Sequence, residues 1–291
     1  MNRNTLLLRA CVSWICAVFL LGSASFAQTG PTFKVVAINF PGASDTSANG
    51  INNFGTIVGW YTRAGVTHGF RLSNQRFTTV DFPGAVATEV HGISNLGDMV
   101  GKFETANGKT HGFLLRQGVF RVLDFPGAHI TSANGVNNTL KIVGQVDNDA
   151  FTWQNGAFHR IHNASGPMKF NGISPLGWIA GELFTTTSRG FIVKGSDFDF
   201  INSPDADETP ANAINGRGDV VGCTSQHTFF AFNPEAGEGT TDQPEVPPPL
   251  FGVGIPGELT SCANGVNFAQ SMVGVFEDFN LHKHGYLAIR Q

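Results

Sequence analysis

Three stretches set a histidine beside a glycine and an aromatic: THGF at 67–70, THGF at 110–113 and KHGY at 283–286. Imidazoles flanked by glycines that admit a ligand are the residue types of a metal centre. His68, His111 and His284 are therefore either ligands of one site or one structural position met three times. Carboxylates are the other candidates. SPDADET brings Asp205, Asp207 and Glu208 into one loop and VDNDA brings Asp147 and Asp149 into another, the oxygen-rich composition that calcium takes. Neither matches the D-x-[DN]-x-[DN]-G loop pattern, so both read as solvated turn residues, with calcium a weak candidate and no metal ligand assigned. HRIH at 159–162 sets His159 and His162 three apart, which on a strand sends the two rings to opposite sides of the sheet. No nucleophile elbow, H-E-x-x-H or phosphate loop occurs, and no catalytic residue is assigned. The alternative is a glycosidase-like carboxylate pair drawn from distant segments, for which Glu182 and Asp205 are the candidates.

The elements that would position these groups form a repeat. VDFPGAVATEVHGISNLGDMVGKFETANGKTHGFLLRQGVF (80–120) has close relatives on either side, INFPGASDTSANGINNFGTIVGWYTRAGVTHGFRLSNQRF and LDFPGAHITSANGVNNTLKIVGQVDNDAFTWQNGAF, and three fainter ones downstream. In five copies a proline (Pro41, Pro83, Pro126, Pro204, Pro256) precedes the G-[IV]-N-type strand by nine residues, and in the fourth copy that loop is shortened. A glycine recurs as Gly59, Gly101, Gly144, Gly181, Gly222 and Gly274, a period of about 42 residues, within the range of propeller blades. With 36 glycines and 26 phenylalanines, the chain is rich in turns and in one repeated aromatic packing position, the mark of short strands rather than helices. Each copy reads as four strands: GIN, TIVGWY, HGFRL and RFTTVDF. The spacing predicts an all-β, six-bladed β-propeller with repeats near 33–75, 76–118, 119–156, 157–196, 197–249 and 250–291. FKVVAINFPG at the start is a fourth strand without its first three, and LHKHGYLAIRQ at the end is a third strand without its fourth. Pairing them closes the ring and covers two sheet edges.

That architecture answers the question about the histidines by distance. Strands lie ~4.8 Å apart, so third strands sit on the order of 15 Å from the axis, and equivalent atoms of adjacent blades are separated by about as much. Metal–nitrogen bonds are ~2.1 Å long. His68, His111 and His284 are one packing position, with the glycine admitting the neighbouring blade and Phe70, Phe113 and Tyr286 filling the space between blades. By the same reasoning DFPGA is a turn that returns the chain to the axis, its aspartate serving that turn, and the INN and ISN asparagines set hairpin geometry.

HGF, GINNFGTIVGWY and DFPGA…TSANG resemble the HAF-repeat family of extracellular proteins, named for a His-Ala-Phe triplet whose alanine is glycine at 68–70 and 111–113. The resemblance covers nearly all of the chain after residue 27, most strongly in the first three repeats. It implies an exported bacterial repeat protein and carries no activity or catalytic residue with it.

A ligand site in such a chain is expected where the repeat is broken. The residue after the recurrent glycine varies freely: Trp60, Lys102, Gln145, Glu182, Cys223, Val275. It falls on the loop face and suits a recognition surface; it also suits, and more readily, a partly exposed strand end under no constraint. Trp60, Lys102, Gln145, Glu182 and Asp205 are the candidate ligand-binding residues, with Trp60 the stacking residue. Trp153 and Trp178 lie within strands and read as core. Cys223 and Cys262 fall toward the same face in neighbouring blades and are a candidate disulfide. NPEAGEGTTDQPEVPPPL (233–250) enlarges one turn and has the composition of a solvated flap.

Residues 1–27 have the pattern of a secretory signal peptide: Arg3 and Arg9, the apolar VSWICAVFLLG, then SFA before Gln28. Removing them takes the net charge from −4 to −6 and leaves 28–291 as a single propeller domain without a second apolar run. No basic patch points to nucleic acid, and no Lys/Arg run to anionic lipid. The expectation is a secreted, non-catalytic binding or interaction module, extracellular or periplasmic, whose partner at the loop face is a glycan or a protein. The alternative is a carbohydrate-active or lactonase-like hydrolase with carboxylates at the axial mouth.

Overall fold

The computed structural model describes residues 30–201, 208–224, 227–231 and 250–291. The signal-peptide segment, Asp205 and Asp207, and all of the 233–250 insertion except Leu250 lie outside the described residues. Among the described residues, twenty-four strands form six four-stranded antiparallel sheets. Blade one is β2 (Asp45–Ile51), β3 (Ile57–Arg63), β4 (Val66–Ser73) and β5 (Arg76–Val80); blade two is β6 (Ala87–Ile93) to β9 (Val119–Leu123). Blade three runs from β10 (Thr131–Val136) to β13 (Ala157–Ile161), blade four from β14 (Met168–Ile173) to β17 (Asp197–Ile201), and blade five from β18 (Ala211–Ile214) to β21 (Leu250–Gly252). Blade six joins β22 (Thr260–Val266), β23 (Met272–Glu277) and β24 (Lys283–Arg290) to β1 (Phe33–Ile38), the N-terminal strand, in register from Phe33↔Arg290 to Ile38↔Gly285. The protein is a six-bladed β-propeller closed by its two terminal strands.

The recurrent glycine has a packing cause that repeats six times. On the second strand of each blade it faces an aromatic of the third: Gly59 opposite Phe70, Gly101 opposite Phe113, Gly144 opposite Phe151, Gly181 opposite Phe191, Gly222 opposite Phe229, Gly274 opposite Tyr286. A Cβ on Gly59 would lie 2.9 Å from the Phe70 ring and collide with the Ser47 carbonyl. The ring lies across the bare backbone, and all six rings are buried. Burying each is worth on the order of 2–3 kcal/mol. The hydrophobic core accordingly divides into six clusters, one at each junction between blades. Val58 and Val80 of blade one meet Val90, Met99 and Phe113 of blade two, and Ile38 and Val273 of blade six meet Ile51, Ile57 and Phe70 of blade one.

The three HG[FY] histidines are one position, and their partner is the residue that opens the DFPGA segment. His68 Nδ1 lies 2.8 Å from Asp81, His111 Nδ1 2.7 Å from Asp124, and His284 Nδ1 3.2 Å from the equivalent Asn39. These aspartates brace the third strand and do not serve the turn as expected; the turn is held instead by threonine hydroxyls of the next blade, Thr88 for Phe82 N and Thr131 for Phe125 N. Each imidazole also stacks on a second-strand aromatic, 4.9 Å between centroids for His111 and Phe103, and Phe103 stacks in turn on Phe82 at 3.7 Å.

Blade three inverts the pair. Asp149 occupies the histidine position and His162 the aspartate position, with Nδ1 2.8 Å from Asp149 Oδ1 at the same thirteen-residue separation. His159 and His162 thus belong to the outer edge of blade three, not to blade four. Asp149 is buried and ion-paired with Arg160 and His162 rather than solvated. Asp147 keeps a turn role, accepting the backbone N–H groups of His129 and Ile130.

Candidate ligand site at the axial mouth

The innermost strand of every blade carries a β-bulge, and the extra residue falls at one repeat position: Asn49, His91, Asn134, Asn171, Asn212 and Asn264. A bulge leaves its extra residue outside the ladder and re-aims the side chain. Here all six turn toward the axis and line one cavity of about 490 Å³ on the loop face, within the usual size of a small-ligand site. The five carboxamides are tied from blade to blade. Asn49 donates to the Val90 carbonyl at 3.0 Å, Asn134 to Phe170 at 2.8 Å, Asn171 to Ala211 at 3.0 Å, Asn212 to Ala263 at 2.9 Å and Asn264 to Ala48 at 3.3 Å. Held this way, the amides are fixed before any ligand arrives.

His91 is the exception in the ring. Its Nδ1 lies 3.1 Å from Asn134 Oδ1, so the imidazole still bridges to blade three, while Nε2 lies 3.2 Å from Glu89. Glu89 also pairs with Lys102 Nζ at 3.1 Å. Burial is the largest single influence on the Glu89 carboxyl and acts to raise its pKa. The combined hydrogen bonds and charges of His91 and Lys102 outweigh it and hold the group down at about 2.

Of the residues expected to bind ligand, Trp60, Lys102 and Gln145 line this mouth together. Each sits opposite a first-strand partner two residues before the bulge: Ser47, Glu89 and Ser132. Gln145 donates to the Asp147 carbonyl at 2.7 Å. Glu182 does not face the cavity. It is buried, paired with Lys169 at 2.9 Å and held by the Ser188 hydroxyl, and Lys169 takes its place in the lining. Asp205 lies outside the described residues. Cys223 and Cys262 are joined across blades five and six, Cα–Cα 4.7 Å.

The bulge asparagines, Glu89 and His91 were not picked out from the sequence. The available signal was TEVHG at 88–92 standing where other copies read TSANG. A glycine inside most of the first strands, such as Gly50 and Gly92, is a signal for a bulge, but the direction in which the bulge turns the preceding side chain is not written locally.

The chain matches no family model and no characterised protein sequence. Among solved structures it is similar to a gluconolactonase from Xanthomonas campestris, with 10% identity, TM-score 0.55, and 89% of this chain and 90% of that one covered. It is also similar to virginiamycin B lyase from Staphylococcus aureus (13% identity, TM-score 0.49, 88% and 99% covered) and to a fucose-specific lectin from Aleuria aurantia (9%, 0.49, 88% and 91%). At such identities the likeness is one of fold. Among the described residues no three His, Cys, Asp or Glu side chains are grouped to hold a metal ion, and no helix is long and apolar enough to cross a membrane.

Proposed function

We propose that this is an exported, non-catalytic binding module of the HAF-repeat type whose axial mouth takes a glycan. The observation that carries the reading is the ring of five blade-tethered asparagine amides beside Trp60. Carboxamides both donate and accept, as sugar hydroxyls do, and an indole face offers an apolar surface to the C–H side of a pyranose. Because the amides are already fixed, little ordering entropy is lost on binding.

The hydrolytic alternative calls for an acid and a base or nucleophile at the mouth. Among the described residues Glu89 is the carboxylate that lines the mouth, and it is paired with Lys102; Glu182 is paired with Lys169 and turned away from the cavity. That arrangement supports binding over hydrolysis.

The test is the purified protein on a broad glycan array, with and without calcium, alongside Trp60→Ala. The expected outcome is a defined set of glycans whose signal falls about fivefold in the variant, since stacking on an aromatic is worth on the order of 1 kcal/mol. An array silent under both conditions would set the glycan aside and turn the search to protein partners.

A further inference from the structure

A second set of departures lies on the opposite face, where first and second strands are joined by hairpins. The residue that closes each hairpin is Thr56, Asp98, Lys141, Trp178, Asp219 or Ser271, and in every blade its carbonyl accepts from the residue four positions earlier. In most copies this side chain is small or satisfied within the fold. Thr56 and Asp98 are buried, Asp98 facing Arg116, and Asp219 is buried and bonded to Asn215 and Gln270. The two copies that break this rule are neighbours. Lys141 of blade three and Trp178 of blade four line one groove of about 410 Å³ between their blades.

Three properties of the groove bear on what it takes. Lys141 is half-buried and has no ion-pair partner among the described residues. No carboxylate lines the groove. Trp178 packs in part against the core cluster between blades four and five, in keeping with its reading as a core residue, and the rest of its indole lines the groove, with the Lys194 ammonium 5.0 Å from the ring centroid. The walls are mixed. Leu176, 63% exposed, and Pro175 extend the indole surface, while Thr139 brings a hydroxyl and Gly177 and Gly195 bring backbone. A half-buried unpaired ammonium favours an anion, the indole favours a flat ring, and the polar wall favours hydroxyl groups on that ring.

We propose that this groove is a binding site for an acidic sugar ring, a pyranose bearing a carboxylate, with Lys141 meeting the carboxylate and Trp178 the face of the ring. The site is separate from the axial mouth and does not depend on what the mouth binds.

The experiment is a titration of the whole protein with methyl glucuronide and with methyl glucoside, which differ only in the carboxylate, followed by tryptophan fluorescence or calorimetry. The expected result is a preference for the glucuronide of about tenfold, the scale of one charge-assisted hydrogen bond, weakening as salt is raised. Lys141→Gln abolishes the preference and Lys141→Arg retains most of it. Should Lys141→Gln fold poorly, the Arg variant and the salt dependence carry the test. Equal affinity for the two sugars, a preference that survives in Lys141→Gln, tighter binding of benzoate than of glucuronide, or no saturable binding of either sugar would overturn the proposal. Loss of array binding in Trp60→Ala with this preference intact would separate the two sites.

Discussion

A histidine and an acid thirteen residues later, or in blade six a histidine and Asn39 of the N-terminal segment, tie the third strand to the segment that follows the fourth, and the inverted pair in blade three shows that what is kept is the contact rather than the residue at either end. Asp149 with His162 stands where His68 with Asp81 and His111 with Asp124 stand elsewhere. At the mouth, the residue with the most consequential surroundings is Glu89. Its folded pKa of about 2 lies below the ordinary 4.5, so its ionised form adds stability above pH 4.5, and that stability is lost as pH falls toward 2. Glu89→Gln should therefore melt below the parent protein at pH 6 and approach it between pH 4.5 and pH 2. The readout is the difference in thermal midpoint across a pH series. A constant difference over that range would show that the carboxylate's charge is not what stabilises the fold.

At the scale of the element, the fold rests on a second strand whose glycine accepts an aromatic ring from the third. That device was legible as a composition rich in glycine and phenylalanine, and as the recurrence of Gly59, Gly101 and their equivalents. The staple between blades five and six belongs to this scale as well. Cys223 and Cys262 enclose a loop of 39 residues, and in the chain-entropy account closing a loop of that length stabilises the fold by about 4 kcal/mol before native-state strain. Cys223→Ser with Cys262→Ser should lower the thermal midpoint under non-reducing conditions, and a reductant should move the parent protein to the same value. No change in either case would mean that the unfolded chain is not constrained by this bridge.

For the whole molecule, stability depends on closure. Each hydrophobic cluster spans two blades, so no blade buries its own faces, and β1, paired with β24, adds Ile38 to the junction between blades six and one. Deleting residues 30–38 would expose the edge of β24 and remove Ile38 from the cluster between blades six and one. Expected is a chain that aggregates or melts well below the parent protein, by light scattering and circular dichroism. A truncated chain that stayed monomeric with an unchanged midpoint would show that five complete blades and a three-stranded sixth suffice.

The sequence by itself determined the number of blades, the strands of each, the closing pair and the equivalence of the three HG[FY] histidines, because a repeat displays its packing rules once per copy and local periodicity is written in neighbouring residues. It also showed Trp60, Lys102 and Gln145 as departures on the loop face. What only the tertiary structure decided is which departures meet. The bulge that turns Asn49 and His91 to the axis, the lysines that neutralise Glu89 and Glu182, and the adjacency of Lys141 and Trp178 all arise between strands or blades. Contacts of that kind join residues tens of positions apart, and their outcome depends on register and on the angle between sheets, neither of which is marked at any one position of the chain.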